Sequence, residues 1–311
     1  MAELAQRLTV VLLTHNCAAW LPYTLDRLAE LGIPVVAVDN ASTDGTRELL
    51  AQRPFVRLRA LTANTGAAGR NEGVRAVTTP YVAFCDDDGW WERPGLERAV
   101  RLLDEHPRLA LVNARIVVGE REEPDPVSVE MAASPLPETE GIPGAVLYSF
   151  MGGACVVRVA AYERAGGYHP AFFLGGEEET LAWPLLKDGW AMRYRDDVVM
   201  HHHPSRANFS GLRHFGIRNT LWNGWLHRPV ASALRWTLFI LRSSPKDRDL
   251  VRGLWLTVLG LPWVLRRRRP MTADLDAGMR VLEERRFAGW AEGRRTGRPV
   301  GTWAPSPSHE G

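Results

Sequence analysis

Three short apolar runs, each stopping at a polar cluster, restrict this chain more than any other feature. Leu8–Leu13 (LTVVLL) meets Thr14-His15-Asn16, Pro34–Val38 (PVVAV) meets Asp39-Asn40-Ala41-Ser42-Thr43-Asp44-Gly45-Thr46, and Tyr81–Phe84 (YVAF) meets Cys85-Asp86-Asp87-Asp88. Uncharged runs rich in β-branched residues, with no polar alternation, suit strands buried on both faces. Between them, residues 19–31, the stretch through Gln52 and the stretch to about Val77 carry helical signals, and another strand is expected near Val56–Ala60. This alternation predicts an α/β fold, a mixed and mostly parallel sheet with helices on both faces. Ligands of such sheets bind beyond the carboxyl ends of the strands. All three polar clusters fall there.

The length of 311 residues allows one large domain or two smaller ones. A hydrophobic fraction of 45% with 24% charged residues excludes a disordered chain. Cys17, Cys85 and Cys155 form no CxxC pair, which argues against a disulfide framework or zinc knuckle. The net charge of +2 hides a division: residues 1–205 hold 19 basic and 28 acidic side chains, residues 206–311 hold 19 and 8. We therefore expect a catalytic domain over 1–205 and a basic, Trp-rich helical extension over 206–311, with a flexible tail from about Arg294. Residues 119–143, rich in Glu, Pro and Ser, are expected as a long loop. Residues 152–200 resume the α/β style, with a strand at Asp197–Met200. The apolar stretch Leu254–Leu265 falls short of the ~18–20 residues a membrane span needs. No signal peptide opens the chain, so a cytoplasmic protein is expected, either free or peripheral at the inner face of the membrane.

Asp86-Asp87-Asp88 carries the sharpest chemical signal. Adjacent carboxylates at a strand end repel one another, and a divalent cation relieves that repulsion. Oxygen donors of this kind suit Mg²⁺ or Mn²⁺ shared with substrate phosphates. Asp39 fits a hydrogen-bond acceptor for a nucleobase or ribose, or equally a helix N-cap. Gly66–Asn71 (GAAGRN) is a small-residue loop before a helix, where Arg70 can pair with phosphate; its position after the third strand excludes a Walker loop or dinucleotide fingerprint. Gly175-Gly176-Glu177-Glu178-Glu179 places acids in a first helical turn, which the helix dipole favours; the same acids suit a general base. In His201-His202-His203, strand alternation lets at most His201 and His203 face one site.

Taken in order, TVVLLTHN, VVAVDNASTDGT, NTGAAGRNEGV, YVAFCDDDG and GGEEETLAWPLLKDGW resemble the family 2 glycosyltransferases over about residues 8–205. The resemblance implies a GT-A fold and inverting transfer from a UDP-, dTDP- or GDP-linked sugar. It implies that Thr14, His15 and Asn16 lie near the nucleobase, with His15 where Tyr is usual, and that Asp39 with Asn40 binds the base. It makes Asp86-Asp87-Asp88 the DXD motif: Asp88 on the metal, Asp86 or Asp87 on the ribose or a metal-bound water. Arg70 and Asn71 match a donor-side loop, Gly153 lies in the stretch that shapes the sugar pocket, and Arg218 matches a residue approaching the phosphates. Glu178 takes the place of the catalytic carboxylate, usually Asp, with Glu177 and Glu179 as alternatives. His201 or His203 matches a His that joins the metal site. The QxxRW of processive synthases is absent; the nearest string, Ser232–Trp236, has Ser in place of Gln. Transfer of one sugar or a few is therefore expected. A sugar-nucleotide nucleotidyltransferase and an inactive nucleotide-sugar-binding protein are the alternatives. The basic extension suits packing on the catalytic domain or a second copy, or attachment to anionic lipid. Nucleic acid is not an expected partner, since no recognition motif accompanies the charge.

Overall fold

The computed structural model describes residues 2–138, 141–204 and 212–296. A short helix α1 (Ala2–Arg7) leads into β1 (Leu8–Thr14); β2 (Val35–Asp39), β3 (Val56–Ala60) and β4 (Tyr81–Asp86) follow in parallel, in the spatial order β3-β2-β1-β4. Helices α2 (Leu21–Glu30), α3 (Thr46–Ala51) and α4 (Gly69–Arg75) make the connections. Next come β5 (Gly89–Trp91), α5 (Arg93–Glu105), β6 (Leu109–Val118), β7 (Glu123–Pro124), α6 (Pro126–Ala132), β8 (Ala145–Val146), β9 (Cys155–Arg158), α7 (Val159–Ala165), α8 (Glu179–Lys187) and β10 (Ala191–His202). The sheet continues from β4 through β9, β6, β10 and β5, with β9 antiparallel to both neighbours and β10 parallel to β6.

Strand alternation builds the two cores. Val10 and Leu12 point to one face, where Leu21, Leu25 and Leu28 of α2 and Leu96, Val100 and Leu103 of α5 cover them. Val11 points to the other, against Val74 of α4, Tyr162 of α7 and Leu181 and Leu185 of α8. Burying both faces is what the unbroken apolar runs require.

Two expectations need correction. The stretch 119–143 is not a plain loop, because it contains α6: Asp125 caps that helix by accepting from Val127 N at 2.7 Å, and Pro126 occupies its first turn. Proline at that position pre-sets the helical φ while masking the periodicity. Strand β10 begins at Ala191, well before Asp197, because Arg195 pairs with Asp197 across a register shift that interrupts the apolar pattern without ending the strand.

The C-terminal region is helical: α9 (Arg213–His227), α10 (Val230–Ser243), α11 (Arg248–Arg266) and α12 (Ala273–Thr296). Helix α9 is buried on nearly every side. Helix α11 presses against it through glycines: a Cβ at Gly253 would stand 2.9 Å from the His214 carbonyl oxygen, and one at Gly260 would stand 2.1 Å from the Trp222 ring. Arg228, only 1% exposed, ties α9 to α12 through Asp276 at 2.6 Å and through Glu283. Helix α12 extends past Arg294 to Thr296; the rest of the expected tail, and the 205/206 boundary, lie outside the described residues. Among the described residues, no helix is long and apolar enough to cross a membrane.

Candidate active site

Parallel register brings the polar clusters together. Thr14 lies opposite Asp39, and Leu13 opposite Asp86. Asp86 Oδ1 pairs with the buried Arg70 guanidinium, which also packs over the Phe84 and Tyr168 rings. Asp88 Oδ1 lies 3.5 Å from His202 Nε2. Burial opposes charge on that imidazole, but the surrounding carboxylates, Asp88 foremost with Asp86 and Asp125, together outweigh it and raise the His202 pKa. Asp87 turns back toward β1, where Oδ2 accepts from His15 N and Oδ1 from Trp20 Nε1, both at 3.2 Å. Burial first, then the neighbouring Asp88, pushes Asp87 up to about 7.

The second acidic cluster reaches the same place through two glycines. A Cβ at Gly153 would stand 2.2 Å from Asp86 Oδ2. One at Gly152 would stand 3.0 Å from the Tyr168 hydroxyl, 3.3 Å from Glu178 Oε1 and 3.6 Å from the Arg70 guanidinium carbon. Asp86, Arg70, Tyr168 and Glu178 thus meet around bare backbone. Among the described residues, Arg70 Nε, Tyr168 OH and Glu177 Oε2 are buried here without a hydrogen-bond partner. Buried polar atoms are normally paired, so orphans gathered beside Asp86 and Glu178 point to a ligand. Burial raises the Glu178 pKa, and Arg70 pulls the other way. Glu177 is raised by burial and then by Glu178. Glu179 turns toward Ser149, whose hydroxyl donates to it at 3.2 Å. Glu178 Oε1 is therefore the carboxylate oxygen placed against Gly152 and Arg70.

The loop before these acids is held under constraint. Phe173 takes a left-handed φ of +57°, uncommon for a bulky side chain, and its carbonyl accepts from Ala67 N at 2.8 Å. Gly66, at φ +61°, allows that approach, since a Cβ there would fall 2.1 Å from the Phe173 carbonyl oxygen. From the far side, the Asn219 amide nitrogen of α9 reaches the carbonyls of Phe172 at 2.6 Å, Leu174 at 3.1 Å and Gly175 at 2.7 Å. Asn223 donates to Gly176 O at 2.7 Å.

Several expected site residues are struts here. Arg218 donates to Ala171 O at 3.0 Å and Phe172 O at 3.1 Å and packs over Phe215 and Trp222, rather than standing free toward a phosphate. Asn71 binds Tyr168 N and O and the Tyr162 hydroxyl, joining α4 to the segment after α7. Asp39 is fully buried; it accepts from Ser42 N at 3.2 Å and Arg47 Nε at 2.9 Å, while Gly45 caps α3. Thr14 donates to Val38 O at 3.1 Å, and Asn40 bridges to Thr65 N and Gly66 O. His15 and Asn16 stay exposed: His15 Nδ1 lies 2.9 Å from Asn40 O, and Asn16 accepts from Thr43 N at 2.8 Å. His201 and His203 pack on Trp90 at ring separations of 5.0 and 4.6 Å, and His201 also bonds Glu92. The histidine facing Asp88 is His202, the one that the alternation argument set aside. Tyr168 gave no signal in the sequence; Gly152 did, as half of a glycine pair directly before an apolar strand.

The donor set suits a hard divalent cation. Asp88, His202 and Asp86 offer carboxylate oxygens and one imidazole, yet no three metal-ligating side chains form a closed group among the described residues. Mg²⁺ and Mn²⁺ commonly bind this way, with few protein ligands and the remainder from water and substrate phosphates. Asp86 is already balanced by Arg70, so Asp88 and His202 are the side chains that could hold such an ion.

Known proteins share this fold. The family described as Glycosyl transferase family 2 matches residues 9–166, ending short of Glu177. The pre-mycofactocin glycosyltransferase of Mycobacterium tuberculosis is 31% identical over 163 residues, covering 51% of this chain and 33% of that protein, so the chain spans about a third of that relative's length. The mannosyltransferase PcManGT of Pyrobaculum calidifontis, solved with GDP-Man and Mn²⁺, aligns at a TM-score of 0.55 with 22% identity, over 94% of this chain and 79% of that one. GalNAc-T7, solved with UDP, GalNAc and Mn²⁺, aligns at 0.60 with 13% identity, over 78% and 52%. These likenesses establish the GT-A fold that the motif order implies. With half its length matched by the family and its sheet aligned on such enzymes, the chain belongs to glycosyl transferase family 2.

Proposed function

We propose that this chain transfers a glycosyl group from a nucleoside-diphosphate sugar to an acceptor nucleophile by one inverting displacement. The observation that carries the reading is the meeting of Asp86, Arg70 and Glu178 around Gly152-Gly153. The GDP-Man and UDP held by the aligned structures support the donor class. Arg70, with an unpaired Nε, is placed to bind donor oxygens while it neutralises Asp86. Glu178 takes the proton of the acceptor, whose freed lone pair attacks the anomeric carbon. The bond from that carbon to the diphosphate oxygen breaks on the opposite face, and the nucleoside diphosphate leaves. Burial makes Glu178 a stronger base than a solvated carboxylate. Asp88 and His202 would hold Mg²⁺ or Mn²⁺, whose positive charge would stabilise the departing diphosphate.

Product analysis tests this directly. The purified chain is screened by thermal shift with UDP-, dTDP- and GDP-sugars in Mn²⁺, since a ligand of the folded state raises Tm. The stabilising donor is then incubated with an acceptor panel. Release of nucleoside diphosphate, with inverted anomeric configuration by NMR, is expected. Pyrophosphate release would identify a nucleotidyltransferase instead, and a retained configuration would exclude the single displacement.

Gly153→Ala tests the close approach. The new methyl collides with Asp86 Oδ2, so the carboxylate must leave its place beside Arg70. The donor KM is expected to rise about tenfold, equivalent to ~1.4 kcal/mol, in steady-state assays. An unchanged KM would show that Asp86 is not needed where it stands.

A further inference from the structure

Helix α11 has two faces of opposite character. The inner face, with Leu250, Gly253, Thr257 and Val264 buried, is locked on α9. The outer face carries Val251, Trp255, Val258, Leu259, Pro262 and Leu265, all exposed, at the i, i+4, i+7, i+8, i+11, i+14 spacing of one continuous helical stripe. Val251 is 68% exposed, Trp255 63%, Val258 60% and Leu259 58%. Trp255 is the one exposed tryptophan among the described residues. An apolar stripe of this length left to water calls for a covering partner.

The charge around the stripe selects that partner. Arg248 and Arg252 flank its start, and Arg266–Arg269 close its end. Among the described residues, Arg248, Arg252 and Arg266 form no ion pair, while the nearby acids Asp247 and Asp249 are both engaged by Arg213. Lys246, Asp247, Arg248, Val251, Arg252 and Trp255 line an open recess of about 560 Å³ that sets three basic side chains and one acid beside two apolar ones. Apolar side chains with an aromatic anchor, rimmed by unpaired arginines, match the headgroup and acyl boundary of an anionic membrane. A second copy of the chain would bring the same arginines into opposition.

We propose that the outer face of α11 docks on the surface of an anionic phospholipid bilayer, with Trp255 and its apolar neighbours entering the interface and Arg248, Arg252 and Arg266 meeting lipid phosphates. The helix lies along the surface and does not span it. Its inner face contacts α9, whose Asn219 and Asn223 hold the loop leading to Glu178. Docking therefore sets the membrane one helix away from that loop.

Vesicle flotation of the full chain tests the surface independently of any enzymatic assay. The protein is mixed with vesicles of phosphatidylcholine alone or with phosphatidylglycerol added, at about 0.1 M and about 1 M salt. Binding to the anionic vesicles at least ~10-fold tighter than to neutral ones, and weakened by salt, is expected. Trp255→Glu/Val258→Glu is expected to lose ~10-fold or more of that affinity, and Arg248→Gln/Arg252→Gln about tenfold, with Tm unchanged because all four side chains are exposed. Equal binding to both vesicle types, or variants that bind like the wild type, would overturn the proposal. So would failure to bind vesicles combined with a concentration-dependent dimer that Trp255→Glu/Val258→Glu abolishes, which would make the face an interface between copies.

Discussion

Glu178→Gln is expected to cut kcat at least ~10²-fold while leaving the fold intact and no less stable. The substitution keeps shape and hydrogen-bonding reach but cannot accept a proton. The stability expectation follows from the carboxylate's position. Burial holds the folded-state pKa of Glu178 above its ordinary value, so the native state keeps its proton more tightly than the unfolded chain. Stability from this group is complete below the ordinary carboxylate pKa and is lost as pH rises through the raised one. At neutral pH the wild type carries that penalty and the Gln variant does not. The Tm difference between them should therefore widen in favour of the variant as pH rises from about 5 to about 7.5. In the wild type, kcat/KM should fall as pH drops through the raised pKa, because the base must be ionised to act. Glu179→Gln, altering a side chain bound to Ser149, should fall well short of the Glu178 loss. Saturated turnover within about threefold of wild type for Glu178→Gln would place the base elsewhere.

Arg228→Met is expected to destabilise the protein by about 3–5 kcal/mol. The guanidinium is almost wholly buried between Asp276 and Glu283, whose side chains are 5% and 3% exposed. Ser232 keeps a bond to Asp276 at 2.7 Å and Arg235 one to Glu283, but two carboxylates would face a thioether. The cost arises from stranding charge, and it is distinct from the net worth of the ion pairs. A triple variant, Arg228→Met with Asp276→Leu and Glu283→Leu, should recover most of the loss, since buried ion networks are often replaceable by apolar groups of similar volume. Urea denaturation of the three proteins measures both effects. A single variant within ~1 kcal/mol of wild type would mean the acids find other partners or water.

Much of this was legible in the sequence, and the limits were physical. LTVVLL, PVVAV and YVAF announced central strands because burial on both faces leaves no room for polar alternation. The acids after YVAF stood out because their mutual repulsion needs relief. The histidines show where such reasoning stops. Alternation placed His201 and His203 on one side of β10 and His202 on the other, which is how they lie. Which side faces Asp88 depends on β5, a three-residue strand that sets Trp90 opposite His201. Nothing local in GWW declares that pairing. Asp39 was open between two roles, and a third applies: Arg47, eight residues on, engages its carboxylate. Arg218 was legible as site-related by resemblance, but its bonds, like those of Asn219, go to the carbonyls of a loop more than forty residues earlier. That contact exists only after the chain has closed.

Those carbonyl contacts bear on how such an enzyme can be cut and recombined. Asn219 and Asn223 act as a splint on the segment that aims Glu178, although the family match stops at residue 166. A version truncated after the sheet would retain the strand ends that carry Asp39 and Asp86 and lose the support that holds Glu178. Grafting another enzyme's helices onto this sheet would fail in the same manner unless an amide met the same three carbonyls.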